Sequence, residues 1–167
     1  GVVLPPGEKR RLHEQFQEIV AGLKHYPYRL AHRDFQSTNL LARGDEYVLI
    51  DFQDALMGPA VYDLVALLRD SYVELPYDMV EELALRFYQT RAGELSMGPD
   101  EFLALFHLQT LQRKLKDAGR FIFIDRVKGN PNFLPFVPAT LRYVEDALIR
   151  LPNAATLASL IAPVFER

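Results

Sequence analysis

The stretch Tyr28-Arg29-Leu30-Ala31-His32-Arg33-Asp34-Phe35-Gln36-Ser37-Thr38-Asn39-Leu40-Leu41-Ala42-Arg43-Gly44-Asp45-Glu46-Tyr47-Val48-Leu49-Ile50-Asp51 is where the hydrophobic period of the chain changes. Tyr28–Ala31 reads as a short extended segment. Asn39–Ala42 and Tyr47–Ile50 are apolar runs on either side of Arg43-Gly44-Asp45-Glu46, which predicts a β-hairpin turning at Gly-Asp. Three oxygen-bearing side chains accompany it. Asp34 lies on the loop that feeds the hairpin, Asn39 at its entrance and Asp51 at its exit. Asn39 and Asp51 each stand six residues from Asp45, so antiparallel pairing is expected to set them side by side. Singly, each is an ordinary turn or cap residue. Together, two carboxylates and an amide form a hard-oxygen set suited to Mg²⁺, which keeps its remaining positions for water and phosphate.

Outward from this stretch the period is helical. Upstream, Leu12, Phe16, Ile19, Val20 and Leu23 recur at helix spacing, after a loose lead-in over Gly1–Gly7 and before Gly22 and Pro27. Lys9-Arg10-Arg11, the one basic run, reads as a solvated first turn. Downstream, Ala60–Val73 is apolar nearly all round and predicts a buried helix. Asp78–Thr90 carries the stripe Met79, Val80, Leu83, Phe87. Pro99-Asp100-Glu101 opens a long helix reaching Arg120 or beyond. Gly129–Pro138 reads as loop, with further helices near Ala139–Leu151 and Ala154–Phe165. The expected fold class is mostly α with a small β-hairpin.

Composition bounds the function. The 167 residues suit a single domain, 1–167, able to bury roughly 70% of its unfolded surface. The absence of cysteine removes disulfides, thiolate metal sites and a cysteine nucleophile. With 19 basic against 22 acidic side chains, no basic surface for nucleic acid is expected. No apolar run has the length of a membrane span and no signal peptide opens the sequence, so a cytoplasmic location is expected. His13, His25 and His107 form no metal-spaced set.

His32-Arg33-Asp34-Phe35-Gln36-Ser37-Thr38-Asn39 matches the kinase catalytic-loop pattern H-R-D-x-x-x-x-N, and Ile50-Asp51-Phe52-Gln53 stands where kinases carry D-F-G. The chain thus resembles the C-terminal lobe of a protein-kinase-like (α+β) fold. Only seven residues, Phe52 to Gly58, separate Asp51 from Pro59. None is Ser, Thr or Tyr, and no A-P-E follows, so a peptide-docking activation segment has no room. The likeness is instead to the small-molecule branch, the aminoglycoside phosphotransferase and choline kinase family, whose Gly-x-x-x-x-Asp-Leu element is matched by Gly58–Leu64. Within it the chain is most similar to bacterial anomeric kinases of amino sugars, which phosphorylate N-acetylmuramate and N-acetylglucosamine in cell-wall recycling. Asp51-Phe52-Gln53-Asp54-Ala55, Tyr62-Asp63-Leu64-Val65, Leu67-Leu68-Arg69-Asp70 and Leu111-Gln112-Arg113 carry that likeness. The strong match runs from Leu30 to Tyr72, about a quarter of the chain. It departs at Gln36, where many members carry His, and at Arg33, where many non-sugar members carry Gly.

The resemblance implies ATP and Mg²⁺ as cofactors and a small-molecule hydroxyl as acceptor, most similar to an amino sugar. An aminoglycoside, a choline-like amine or a non-catalytic kinase-like binding module are the alternatives. Asp34 would be the catalytic base, and Asn39 and Asp51 the metal ligands. His32 reads as a packed structural residue, and Arg33 as pairing with a nearby carboxylate. Asp63 either answers its own helix dipole or holds the catalytic-loop backbone. Gln36, Gln53, Asp54, Arg69, Asp70 and Arg113 are candidate substrate contacts. Each of Gln53, Asp54, Arg69, Asp70 and Arg113 has simple solvent exposure as the competing reading. A kinase also needs a Gly-rich loop and a strand lysine, and neither occurs here. The chain is therefore expected to be the catalytic lobe of a longer polypeptide, lacking its N-terminal nucleotide-clamping lobe and poorly active alone.

Overall fold

The computed structural model describes residues 4–165. Of the expected lead-in, positions 1–3 lie outside the described residues, and helix α1 (Pro6–Lys24) already includes Gly7. Pro6 suits that start, because the first turn has no intrahelical partner for an N–H. The basic run Lys9–Arg11 is exposed on α1.

Four strands follow: β1 (Tyr28–Ala31), β2 (Leu40–Arg43), β3 (Glu46–Leu49) and β4 (Leu56–Pro59). The hairpin β2–β3 turns at Gly44-Asp45, with Gly44 at φ 61. A two-residue loop needs a positive φ there, which glycine adopts without steric cost. The expectation of a single hairpin is corrected by a second antiparallel pair, in which β4 lies against β1 with Ala31 opposite Leu56. Leu56-Met57-Gly58-Pro59 carries little strand signal of its own. Its extended state comes from a partner 25 or more residues away in sequence.

Helices complete the fold: α2 (Tyr62–Leu68), α3 (Tyr77–Leu95), α4 (Pro99–Lys128), α5 (Val137–Arg150) and α6 (Ala155–Phe165), with a 3-10 turn over Pro131–Phe136. The predicted helix over Ala60–Val73 is cut to seven residues. It stops because the Asp70 carboxylate accepts from the Tyr72 N–H (3.0 Å), a local side-chain bond that competes with helix continuation.

Helix α4, 30 residues long, is the spine of the domain. Phe102, Leu105, Phe106 and Leu111 on it are buried against Val61 and Val65, Val80 and Ala84 of α3, and Val144 and Ala147 of α5. Gly22, expected to end α1, lies inside it. A Cβ there would meet Leu108 Cδ2 of α4 at 2.9 Å, so the glycine marks close helix approach. Met79, expected on the buried stripe of α3, is exposed, and Val80 and Ala84 hold the buried positions. No helix among the described residues is long and apolar enough to cross a membrane.

Polar side chains also enter this helical core. Arg69, at the end of α2, pairs with Asp146 of α5 and lies 5.2 Å from the ring centroids of both Tyr77 and Tyr143. His107 of α4 is buried beside this cluster. Burial, reinforced by the charges of Arg150 and Arg69, pushes its imidazole down to about 4 from the usual 6.5. The native state therefore resists protonation that the unfolded chain accepts. This stability is full above pH 6.5 and lost as pH falls towards 4. Urea unfolding across this window is expected to lose up to roughly 3 kcal/mol, and His107→Asn should flatten that segment of the profile. An equally steep loss in the variant would assign the acid sensitivity to other groups.

Candidate active site

The loop from His32 to Asn39 joins β1 to the hairpin, and its backbone is held from several sides. Asp63, in the first turn of α2, accepts the N–H groups of His32 (Oδ2, 2.7 Å) and Arg33 (Oδ1, 3.0 Å). Both carboxylate oxygens are thus engaged by the loop, across 30 residues of sequence. The His32 side chain is buried, and its Nε2 donates to the carbonyl of Ile50 at 2.9 Å. That bond ties the loop to the residue preceding Asp51. Asp70 takes the other end: its Oδ2 accepts from the Ser37 N–H (2.8 Å) and the Ser37 hydroxyl (2.6 Å).

Within this frame the carbonyl of Asp34 accepts from Asn39 Nδ2 at 2.8 Å and from the Gln36 N–H at 2.9 Å. The Asp34 carboxylate is 46% exposed, open enough to meet a ligand. Its nearest cation is Arg113 of α4, whose Nη2 lies 3.7 Å from Asp34 Oδ1. Because the Asn39 amide spends its nitrogen on the loop, its Oδ1 remains an available acceptor. Asp51 is exposed and accepts from Gln53 Nε2 at Oδ1 (2.6 Å), leaving Oδ2 available. Among the described residues no group of three or more His, Asp or Glu side chains forms a metal cage. A cation held here would have few protein ligands, as Mg²⁺ tolerates when phosphate and water fill its other positions.

The hairpin register corrects one expectation. Leu40 faces Leu49, so Asn39 falls opposite Ile50, and the Ile50 N–H donates to the Asn39 carbonyl at 3.1 Å. The centre of the turn lies between Gly44 and Asp45, and Asp51 is one residue beyond direct opposition. Asp51 also has φ 68, so the chain leaves the extended conformation there and strand alternation no longer dictates where its carboxylate points.

The remaining candidates are distributed differently from the sequence expectation. Arg33 is exposed and donates to the backbone carbonyl of Asp54 (3.2 Å), not to a carboxylate. Gln36 is half-buried in the loop, and Gln53 and Asp54 are exposed beside Asp51. Arg69 and Asp70, read as a pocket edge or as exposed, are buried, with 2% and 1% exposure. Arg69 faces the helical core and Asp70 is consumed by Ser37 and Tyr72, so neither is free to contact an acceptor. Arg113 is likewise buried, beneath the loop.

Sequence reasoning missed the bracing roles of Asp70 and Arg113. A signal existed on α4: Phe106, Thr110, Arg113, Asp117 and Phe121 recur at three- and four-residue spacing and all are buried. Polar residues on the apolar stripe of a helix require buried partners. Lys114 belongs to the same group, donating to Ser71 Oγ (2.9 Å) and Asp117 Oδ2 (3.3 Å). Burial, opposed by Asp117, pushes its ammonium down to about 8.

The chain is similar to known proteins over most of its length. The family described as the phosphotransferase enzyme family matches residues 4–97. Three curated relatives are named N-acetylmuramate/N-acetylglucosamine kinase. That of Pseudomonas aeruginosa is 35% identical over 147 residues, covering 86% of this chain and 44% of the relative. That of Neisseria meningitidis serogroup B is 34% identical over 158 residues, covering 92% and 47%. That of Pseudomonas putida is 31% identical over 166 residues, covering 97% and 49%. The chain spans about half the length of the curated relatives it matches.

The geometry makes a stability prediction. Asp63→Ala removes two charge-assisted bonds and leaves two loop N–H groups without their acceptor. It is expected to cost about 2–4 kcal/mol, read from chemical unfolding. Asp54→Ala, on the exposed side of the same region, should stay within about 0.5 kcal/mol of the parent. Equal effects of the two would contradict the bracing role of Asp63.

Proposed function

Because the chain belongs to the phosphotransferase enzyme family, we propose that it carries the acceptor-activating part of an ATP-dependent small-molecule kinase, with an amino sugar of the N-acetylmuramate or N-acetylglucosamine type as acceptor. The observation that carries this reading is the state of Asp34. Its carboxylate is half exposed, while its backbone is fixed by Asn39, whose amide oxygen stays available near the hairpin exit. The names of the curated relatives support the acceptor class.

In this mechanism the acceptor hydroxyl donates a hydrogen bond to Asp34 and passes its proton there as the new O–P bond forms. The bond between the γ-phosphorus and the β,γ-bridging oxygen of ATP breaks, and ADP leaves. Asn39 Oδ1 and Asp51 Oδ2 would hold Mg²⁺, which, when bound, neutralises charge on the phosphates. Little covalent work falls to the protein, so the fixed loop contributes chiefly by positioning. His32 links the Asp34 loop to the approach of Asp51, keeping the two carboxylates in one frame.

Exposed apolar side chains on both strand pairs support a larger catalytic assembly. Leu30, Tyr47 and Phe52 are 73%, 82% and 71% exposed, and Leu41, Leu56 and Met57 add to the same strands and their connection. Exposed apolar area of this kind marks a surface that another structure covers. We assign it to the nucleotide base and to a nucleotide-clamping lobe of the whole polypeptide.

In the full-length enzyme, Asp34→Ala is expected to lower kcat by about 10²–10⁴-fold with the protein still folded, measured by ADP release with Mg–ATP. A panel of N-acetylmuramate, N-acetylglucosamine, an aminoglycoside and choline should show transfer to the two sugars. A folded Asp34→Ala variant with near-normal turnover, or transfer confined to the aminoglycoside or choline, would overturn the reading.

A further inference from the structure

We propose that Arg113 is a positioning residue for Asp34, acting by clamping the peptide that joins Arg33 to Asp34. The inference rests on the proposed role of Asp34 and extends it to a buried side chain of α4. Arg33 has φ 74, in the left-handed region that a non-glycine residue adopts only against a steric penalty. Such a conformation persists where its surroundings over-determine it, and here both polar groups of the residue are taken. The Arg33 N–H is held by Asp63 Oδ1 at 3.0 Å. The Arg33 carbonyl, which belongs to the peptide leading into Asp34, accepts from Arg113 Nη1 at 2.8 Å.

The same guanidinium does more than hold a carbonyl. Its Nη2 stands 3.7 Å from Asp34 Oδ1, and its Nε lies 3.7 Å from Asp117 Oδ2. Its face lies 5.2 Å from the centroid of the Tyr62 ring, and its side chain is 2% exposed. Asp117 and the Tyr62 ring thus hold Arg113 from outside the loop, and its 2% exposed side chain is closed off from an acceptor molecule. A rigid guanidinium can donate to the carbonyl while keeping its charge 3.7 Å from both Asp34 and Asp117, an arrangement a single ammonium does not reproduce. The geometry turns a residue resembling an acceptor contact in the sequence into a brace that sets the direction of Asp34.

The mechanism predicts a specific rescue. If Arg113 acts by holding Arg33 in the left-handed conformation, a glycine at position 33 needs less holding. Steady-state kinetics on the full-length enzyme would compare Arg113→Lys, Arg33→Gly and the double variant, with melting curves for each. Arg113→Lys is expected to lower kcat about tenfold or more while the acceptor KM changes by less than about threefold. Adding Arg33→Gly should recover most of the lost kcat. Arg113→Gln, which keeps a donor for the carbonyl but no charge, serves under the same criteria if the lysine variant fails to fold. A raised KM with unchanged kcat would overturn the proposal in favour of acceptor binding. A double variant with no recovery would overturn it by showing that Arg113 does not act through Arg33. A folded Asp34→Asn variant with full turnover would remove the proposed function itself. An inactive Asp34→Asn beside an unaffected Arg113→Lys would remove only the positioning role.

Discussion

The carboxylate of Asp63 answers a constraint on which the rest of the site depends. A loop that turns sharply between a strand and a hairpin leaves backbone N–H groups pointing away from any ladder, and two of them, at His32 and Arg33, converge on this one side chain. Ionised acceptors make shorter and stronger bonds than neutral ones, so a single residue can hold a strained turn. The arrangement also explains why a carboxylate is tolerated at the start of a short, largely apolar helix: its charge is met by the loop. Asp63 therefore couples the position of α2 in the core to the geometry at Asp34.

The second organising feature is the polarity of α4. A 30-residue helix through the centre of a domain would ordinarily present an unbroken apolar stripe to its neighbours. Here the stripe is apolar at Phe102, Leu105 and Phe106, then polar at Thr110, Arg113, Lys114 and Asp117, then apolar again at Phe121. The polar section lies where the helix passes beneath the loop and the end of α2. Ser71, Thr140 and Asp117 satisfy Lys114 and its neighbours through a buried network. Such groups cost free energy to bury unless fully partnered, and partners that must all be present together favour one arrangement of the elements over others. The loop is thereby fastened to the most deeply packed helix of the fold.

Much of this was legible in the sequence for a local reason. The period change around Tyr28–Asp51, the Gly-Asp turn and the long helix from Pro99 all arise from interactions within a few residues, and the structure has each of them. The family likeness depended on the same local stretch, because catalytic-loop spacing is set by the chemistry it serves. What was not legible was non-local. β4 has no strand signal without β1. Asp70, whose bond to the Tyr72 N–H ends α2, also holds Ser37, 33 residues away, and that contact has no local sign. The one-residue offset of Asp51 from Asn39 came from the turn centre falling between two residues, which residue counting alone resolved wrongly.

A mostly helical, kinase-like lobe with one hairpin is written in the order of residues, as are Asp34, Asn39 and Asp51 as the oxygen-bearing side chains around that hairpin. Residue type and short-range spacing suffice for that, because hydrogen-bond patterns of helices and hairpins close within the segment. The inward direction of Arg69 and Asp70, and the identity of what Arg113 meets, come from the tertiary structure. The period of α4 marks Arg113 as inward-facing without saying what it meets, and Arg69 and Asp70 lie past the last residue of α2, where no period says which way such a side chain will point. These directions and contacts follow from the partners that other elements bring: Asp146 and two tyrosine rings for Arg69, Ser37 for Asp70, and the Arg33 carbonyl for Arg113.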